Sequence, residues 1–195
     1  MFSSQNIKND TILTIFKDSG TVFKLNEVAM LTGESDFQSL NRKLNYAVRT
    51  GKLLNPRKGI YAKPGYNPEE LACKIVTPCY ISLEYVLQKA GIIFQYDSRI
   101  TLVSYLSRNI QVEKMTYSFR KIKSDVLYSV SDSVIQKMRV NIATVERAFL
   151  DMLYLEKDAY FDNLNPLNKK QIDNLLPLYR SKALNLRVSK MLKNG

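Results

Sequence analysis

Histidine does not occur anywhere in the 195 residues. Its absence excludes the imidazole as a general base, Ser-His and Cys-His nucleophile pairs, and every zinc site that needs a histidine ligand. Cysteine is nearly absent: Cys73 and Cys79 are the only two, too few for an all-cysteine structural zinc site, and they read as reduced thiols packed in a core. No metal and no cofactor is expected. No run approaches the ~18 apolar residues of a membrane span. Residues 1–20 are polar and charged, with Ile12, Leu13, Ile15 and Phe16 at helical spacing, so they do not resemble a secretory signal. The cytoplasm is the expected compartment, and a membrane is not an expected partner.

Negative charge is also scarce. Lys and Arg total 29 against 18 acidic residues, a formal charge of +11, which favours a polyanionic partner without specifying a fold. With 45% hydrophobic and 24% charged residues the composition is that of a globular protein. A chain this long buries roughly 70% of the surface of its unfolded form, so neither a disulfide nor a metal is needed for stability.

The first 65 residues suggest a small domain. Asp10 or Thr11 caps a helix to about Lys17, ended by Ser19-Gly20; "FKLNEVAMLTG" gives a second helix stopped by Gly33. Ser35 or Asp36 caps a third helix that runs to Thr50. A hairpin follows, with strands Leu53-Leu54-Asn55 and Ile60-Tyr61-Ala62 joined through Pro56-Arg57-Lys58-Gly59. This order is that of a winged helix-turn-helix, and "KPGYNP" reads as the linker out of it.

At 100° per residue, Phe37, Leu40, Leu44, Ala47 and Val48 share one arc of the third helix, the expected core face. Opposite lie Gln38, Arg42, Asn45, Tyr46 and Arg49, residue types that read base edges or hold phosphate. Residues 36–63 carry seven basic side chains and one acidic one, Asp36, whereas a merely solvated face mixes its signs. Gln38, Arg42, Lys43, Asn45, Tyr46, Arg49, Arg57 and Lys58 are therefore the candidate DNA-binding residues, with Arg57 and Lys58 at the tip of the wing.

Residues 69–195 read as a second, mixed α+β domain, so the fold class is α+β throughout. "PEELACKI" and "SLEYVLQKAG" are short helices, the latter capped by Ser82. "ITLVSYL", "QVEKMTYSF", "VLYSV" and "MRVNIA" are strand-like. Thr144 caps an apolar helix, "VERAFLDMLYL", and two further helices span about 168–176 and 181–193. In the apolar helix Arg147 and Asp151 are i, i+4 partners, expected as a surface ion pair or as an arginine tying the helix to a neighbouring loop. Arg147, with Arg180, Lys182, Arg187 and Lys190 near the basic C-terminus, forms a second set of candidate contacts to a partner or to DNA. The acidic residues Asp97, Glu113, Asp125 and Asp132 are scattered, without the strand spacing a metal-dependent nuclease needs. The tyrosines are dispersed, with no stacking platform for single-stranded nucleic acid. An enzyme is not expected.

Three blocks, "LNYAVRTGKLLNPRKGIYAKPG", "YISLEYVLQKAGII" and "VNIATVERAFLDMLYL", resemble in content and order the AbiEi family of transcriptional regulators, antitoxins of type IV abortive-infection toxin-antitoxin systems. The resemblance spans about residues 10 to 190. It departs from the family in carrying Glu84 and Tyr85 where many relatives have a small residue or a histidine. It implies an N-terminal winged helix-turn-helix that binds inverted repeats in its own promoter, and a C-terminal antitoxin domain that counteracts a nucleotidyltransferase-like toxin, usually without a stable complex. The alternative is an interaction protein whose C-terminal domain binds and neutralises the toxin directly.

Overall fold

The computed structural model describes residues 10–129 and 131–193. The chain is mixed α+β and falls into two compact units, one ending at Lys74 and one beginning at Ile75. Among the described residues no helix is long and apolar enough to cross a membrane.

The first unit opens with α1 (Thr11–Lys17), whose first turn is capped by the Asp10 carboxylate accepting from Ile12 N–H. Strand β1 (Val22–Lys24) leads directly into α2 (Leu25–Thr32), which Gly33 ends in the left-handed conformation at φ 69°. Helix α3 (Phe37–Arg49) starts where Asp36 accepts from the N–H groups of Gln38 and Ser39. The hairpin is β2 (Leu54–Arg57) and β3 (Ile60–Ala62), and β1 pairs antiparallel with β3 to give the order β1-β3-β2. Ile15, Phe23, Val28, Leu40, Leu44, Ala47, Leu53 and Tyr61 form the core of the unit.

Two expectations change here. Phe37, assigned to the core arc, is 50% exposed, because a side chain in the first turn leans toward the helix N-terminus and overhangs the core. Helix α4 (Pro68–Ile75), expected to open the second domain, lies almost wholly in the first unit. Its Glu70 is 2% exposed, and one carboxylate oxygen accepts from Thr21 N–H at 2.6 Å, Thr21 Oγ1 at 2.9 Å and Val22 N–H at 3.0 Å. A buried carboxylate needs donors, and those donors are at the start of β1.

The second unit is a six-stranded mixed sheet, order β6-β7-β5-β4-β9-β8, with helices packed on it. Its strands are β4 (Cys79–Ile81), β5 (Ile100–Ser104), β6 (Arg108–Val112), β7 (Met115–Lys121), β8 (Val134–Lys137) and β9 (Val140–Ala143). β4/β9 and β5/β7 are parallel, the other pairs antiparallel. The central β4 and β5 are buried at every position, whereas the edge strands β6 and β8 are largely exposed, as expected for a sheet covered at its middle. Between the strands lie α5 (Glu84–Lys89) and α6 (Ser124–Tyr128), and after them α7 (Val145–Leu155), α8 (Lys169–Leu175), a 3-10 turn over Leu176–Tyr179 and α9 (Lys182–Lys193). Cys73 and Cys79 are buried thiols.

Three strand or cap assignments are corrected. "QVEKMTYSF" is not one strand but the two arms of the β6–β7 hairpin, turned at Glu113 (φ 53°) and Lys114. "VLYSV" is not a strand: Val126 to Tyr128 belong to α6, and Val130 lies outside the described residues. Its β-branched and aromatic residues favour a strand locally, but the Val126 carbonyl is recruited by a buried arginine. Ser82 does not cap α5; Leu83 occupies that position at φ 61°, and the buried Ser82 hydroxyl donates to Asp151 instead.

Candidate nucleic-acid interface

Helix α3 separates its faces sharply. Leu40, Leu44 and Ala47 are buried, while Gln38, Asn41, Arg42, Lys43, Asn45, Tyr46 and Arg49 are exposed. All six expected helix residues thus stand at the surface, Tyr46 at 59% exposure, with the Arg49 guanidinium 5.8 Å from its ring centroid, close enough for a cation-π contact. Lys43 is the exception in charge: its ammonium binds Glu34 at 2.7 Å, and that bond holds the Glu34 carboxyl below its ordinary range. Its charge is already matched, which sets it apart from Arg42 and Arg49.

The hairpin is tighter than its composition implies. Arg57 pairs with Ile60, so Lys58 and Gly59 alone make the turn, Gly59 taking φ 78°, a region that favours glycine. Register shifts between Leu54 and Arg57, where Pro56 has no N–H to offer a ladder. The Asn55 amide spans the irregularity, donating to the carbonyls of Arg57 at 3.0 Å and Ile60 at 2.7 Å. Lys58 is therefore at the tip, and Arg57, expected beside it, is a half-buried strand residue.

Sequence periodicity did not single out two residues that meet beside this face. Asn41 lies at the margin of the α3 polar face, and the Tyr61 hydroxyl of β3 donates to its Oδ1 at 2.7 Å and stands 3.4 Å from Asn45 Oδ1. The helical arc alone placed Asn41 between the two faces; only the pairing of β3 with β1 brings a phenol there.

The second candidate set disperses. Arg147, expected among the candidate contacts, has no exposed surface, and its guanidinium is engaged inside the second unit. Its Nη1 donates to Ser129 O at 2.9 Å, its Nη2 to Val126 O at 2.7 Å and Tyr80 Oη at 3.0 Å, and its Nε stands 3.3 Å from Asp151. The guanidinium also lies 5.4 and 5.1 Å from the ring centroids of Tyr80 and Tyr179. Asp151 accepts from Tyr179 Oη at 2.7 Å and Ser82 Oγ at 2.8 Å. Burial pushes the Asp151 carboxyl above its usual range, with Arg147 pulling the other way, and burial also drives both tyrosines well up. The expected surface ion pair is thus a buried one, and the alternative of an arginine tying its helix to a neighbouring segment is what the hydrogen bonds to 126 and 129 describe. Arg187 is half-buried and donates to Leu153 O at 2.6 Å, whereas Arg180, Lys182 and Lys190 are exposed.

Negative charge gathers elsewhere. A groove of about 620 Å³ in the second unit is lined by Glu84, Asp97, Glu156, Asp158 and Asp162, with Arg99 the one cation in its wall among the described residues, a field that repels phosphate. Arg99 holds Asp97 through bonds of 2.5 to 3.0 Å, and Arg120 binds Glu156 at 2.9 Å. The scattered acids stay apart: Glu113 is in the β6–β7 turn, Asp125 in α6 and Asp132 in a 3-10 turn. Comparison of the chain with family models, with curated proteins and with solved structures gives no match.

Proposed function

We propose that the first unit is a winged helix-turn-helix that binds duplex DNA, with α3 in the major groove and the β2–β3 hairpin as its wing, and that the protein is the autorepressor and antitoxin of an AbiE-like type IV toxin-antitoxin system. The observation that carries the DNA reading is the face of α3 on which Gln38, Asn41, Arg42, Asn45, Tyr46 and Arg49 stand exposed together, next to a hairpin tipped by Lys58. Guanidinium and amide groups on one helix face match base edges and phosphates, and the two-residue turn keeps the wing narrow. The antitoxin part is supported by the three sequence blocks that resemble AbiEi proteins, the second and third of which form β4–α5 and β9–α7 of the second unit. Operator DNA with inverted repeats and a nucleotidyltransferase-like toxin are the partners this reading names.

Titration of the full chain with duplexes from its own promoter region tests the DNA part. Replacing Arg57 and Lys58 by alanine is expected to weaken all sequences alike and to lower the slope of log K against log salt by about one to two units, one of them from Lys58 at the tip. An unchanged slope removes the hairpin from the interface, and no duplex binding at all overturns the reading. For the antitoxin part, the chain should restore growth to cells expressing an adjacent nucleotidyltransferase-like gene. Failure of rescue by a chain that still binds DNA leaves a repressor and rejects the antitoxin.

A further inference from the structure

Tyr61 belongs to the core cluster of the first unit, so its ring is fixed by packing. Its hydroxyl carries that rigidity to the surface of α3, donating to Asn41 Oδ1 at 2.7 Å. A phenol has one proton, and the shorter contact takes it, leaving Asn45 at 3.4 Å as a neighbour. Burial raises the phenol pKa from its ordinary value, so the donor persists through the physiological range. An exposed asparagine otherwise turns its terminal amide broadly about χ2. Asn41 is exposed, and with its oxygen held by Tyr61 the amide nitrogen, with its two N–H groups, is the part of the side chain left to donate.

We propose that Tyr61 is a positioning residue for base recognition and that Asn41, oriented by it, selects guanine in the major groove. Guanine presents two acceptors there, O6 and N7, whereas adenine presents one acceptor and one donor. An asparagine that reads adenine points its oxygen and its nitrogen at the base together; here the oxygen is drawn toward Tyr61, and the group left for the base is the NH2 donor. Orienting the amide before DNA arrives removes an ordering cost from the bound state. The inference rests on the reading of the first unit as a duplex-DNA binder and adds which base one of its side chains recognises.

Selection from a pool of random duplexes by the full chain, by Tyr61→Phe and by Asn41→Ala tests it, followed by affinities for the selected duplex and for versions carrying adenine or 7-deazaguanine at each guanine. The expected result is one guanine whose replacement costs the wild type about tenfold and costs either variant little. Affinity for unselected DNA and the salt slope should stay as they are. Tyr61→Phe keeps the packed ring, and its urea midpoint confirms that the unit remains folded. A Tyr61→Phe protein with the wild-type base preference overturns the proposal, as does an Asn41-dependent position that prefers adenine. Equal weakening on every sequence by a folded Tyr61→Phe also overturns it, since the hydroxyl would then only support the surface. Sequence-independent duplex binding by the wild type rejects this inference alone, while no duplex binding rejects the DNA-binding reading with it.

Discussion

Arg147→Ala is expected to lower the stability of the second unit by about 3 to 5 kcal/mol, the range found when one partner of a buried ion pair is removed. The guanidinium serves two carbonyls, a phenol and a carboxylate at once, and alanine leaves all four in a site without solvent. Against a domain stability of about 5 to 15 kcal/mol the loss is large. Lysine is expected to rescue little, because a single ammonium cannot reproduce the planar fork that reaches Val126 and Ser129 on one side and Asp151 on another. The apolar double variant Arg147→Met with Asp151→Leu removes both charges, yet it still strands the carbonyls of Val126 and Ser129. It should therefore recover only part of the loss. Urea unfolding followed by circular dichroism and tyrosine fluorescence measures each term, and a midpoint for Arg147→Ala equal to the wild type would show that the network does not hold the unit together.

Glu70→Ala is expected to destabilise the first unit by about 2 to 4 kcal/mol, since a buried carboxylate with several donors is lost and two main-chain N–H groups, those of Thr21 and Val22, are left without an acceptor. A domain below about 70 to 80 residues rarely has more than 3 to 5 kcal/mol to lose. On the proposed DNA-binding reading the consequence extends to binding: β1 starts at Val22 and pairs with β3, which carries Tyr61. Loss of duplex binding with no change to any residue of α3 or the hairpin is therefore the expected phenotype, sharpest on warming. Glu70→Gln keeps an oxygen in the same place and should retain more of both stability and binding. If Glu70→Ala melts and binds as the wild type does, the carboxylate is not what joins α4 to the first unit.

The helices and the hairpin of the first unit were legible because each is punctuated locally. Asp10 and Asp36 accept hydrogen bonds from the first turns of α1 and α3, Gly33 takes the left-handed position after α2, and Gly59 turns the hairpin. The polar face of α3 followed from 3.6-residue periodicity, which needs no partner to be read. Strand β1 was not legible: three residues directly before a helix carry no alternation to detect, and it is a strand because β3 lies beside it. The same holds for the hydrogen bond on Asn41, whose donor is a phenol twenty positions away.

In the second unit, the residues that misled were those whose environment reverses their usual meaning. Arg147 and Asp151 at i, i+4 look like a solvated pair, and Ser82 before a helix looks like a cap. All three turn inward because α7 lies in the middle of the unit, buried at eight consecutive positions from Glu146 to Leu153. A helix buried all round must satisfy its polar side chains from neighbouring elements, and those neighbours, Tyr80, Val126 with Ser129, and Tyr179, come from three separate stretches of chain.

By itself the sequence determined the excess of positive charge, the absence of histidine chemistry, the α+β character and the amphipathic face of α3, because composition, capping and periodicity are local properties. Tertiary structure alone decided where the first unit ends, which cations remain at the surface, and which amide is held in one orientation. Those depend on which groups meet across long separations, as Glu70 with Thr21, Tyr61 with Asn41 and Arg147 with Tyr80, and a buried polar group takes whatever partner the packing supplies.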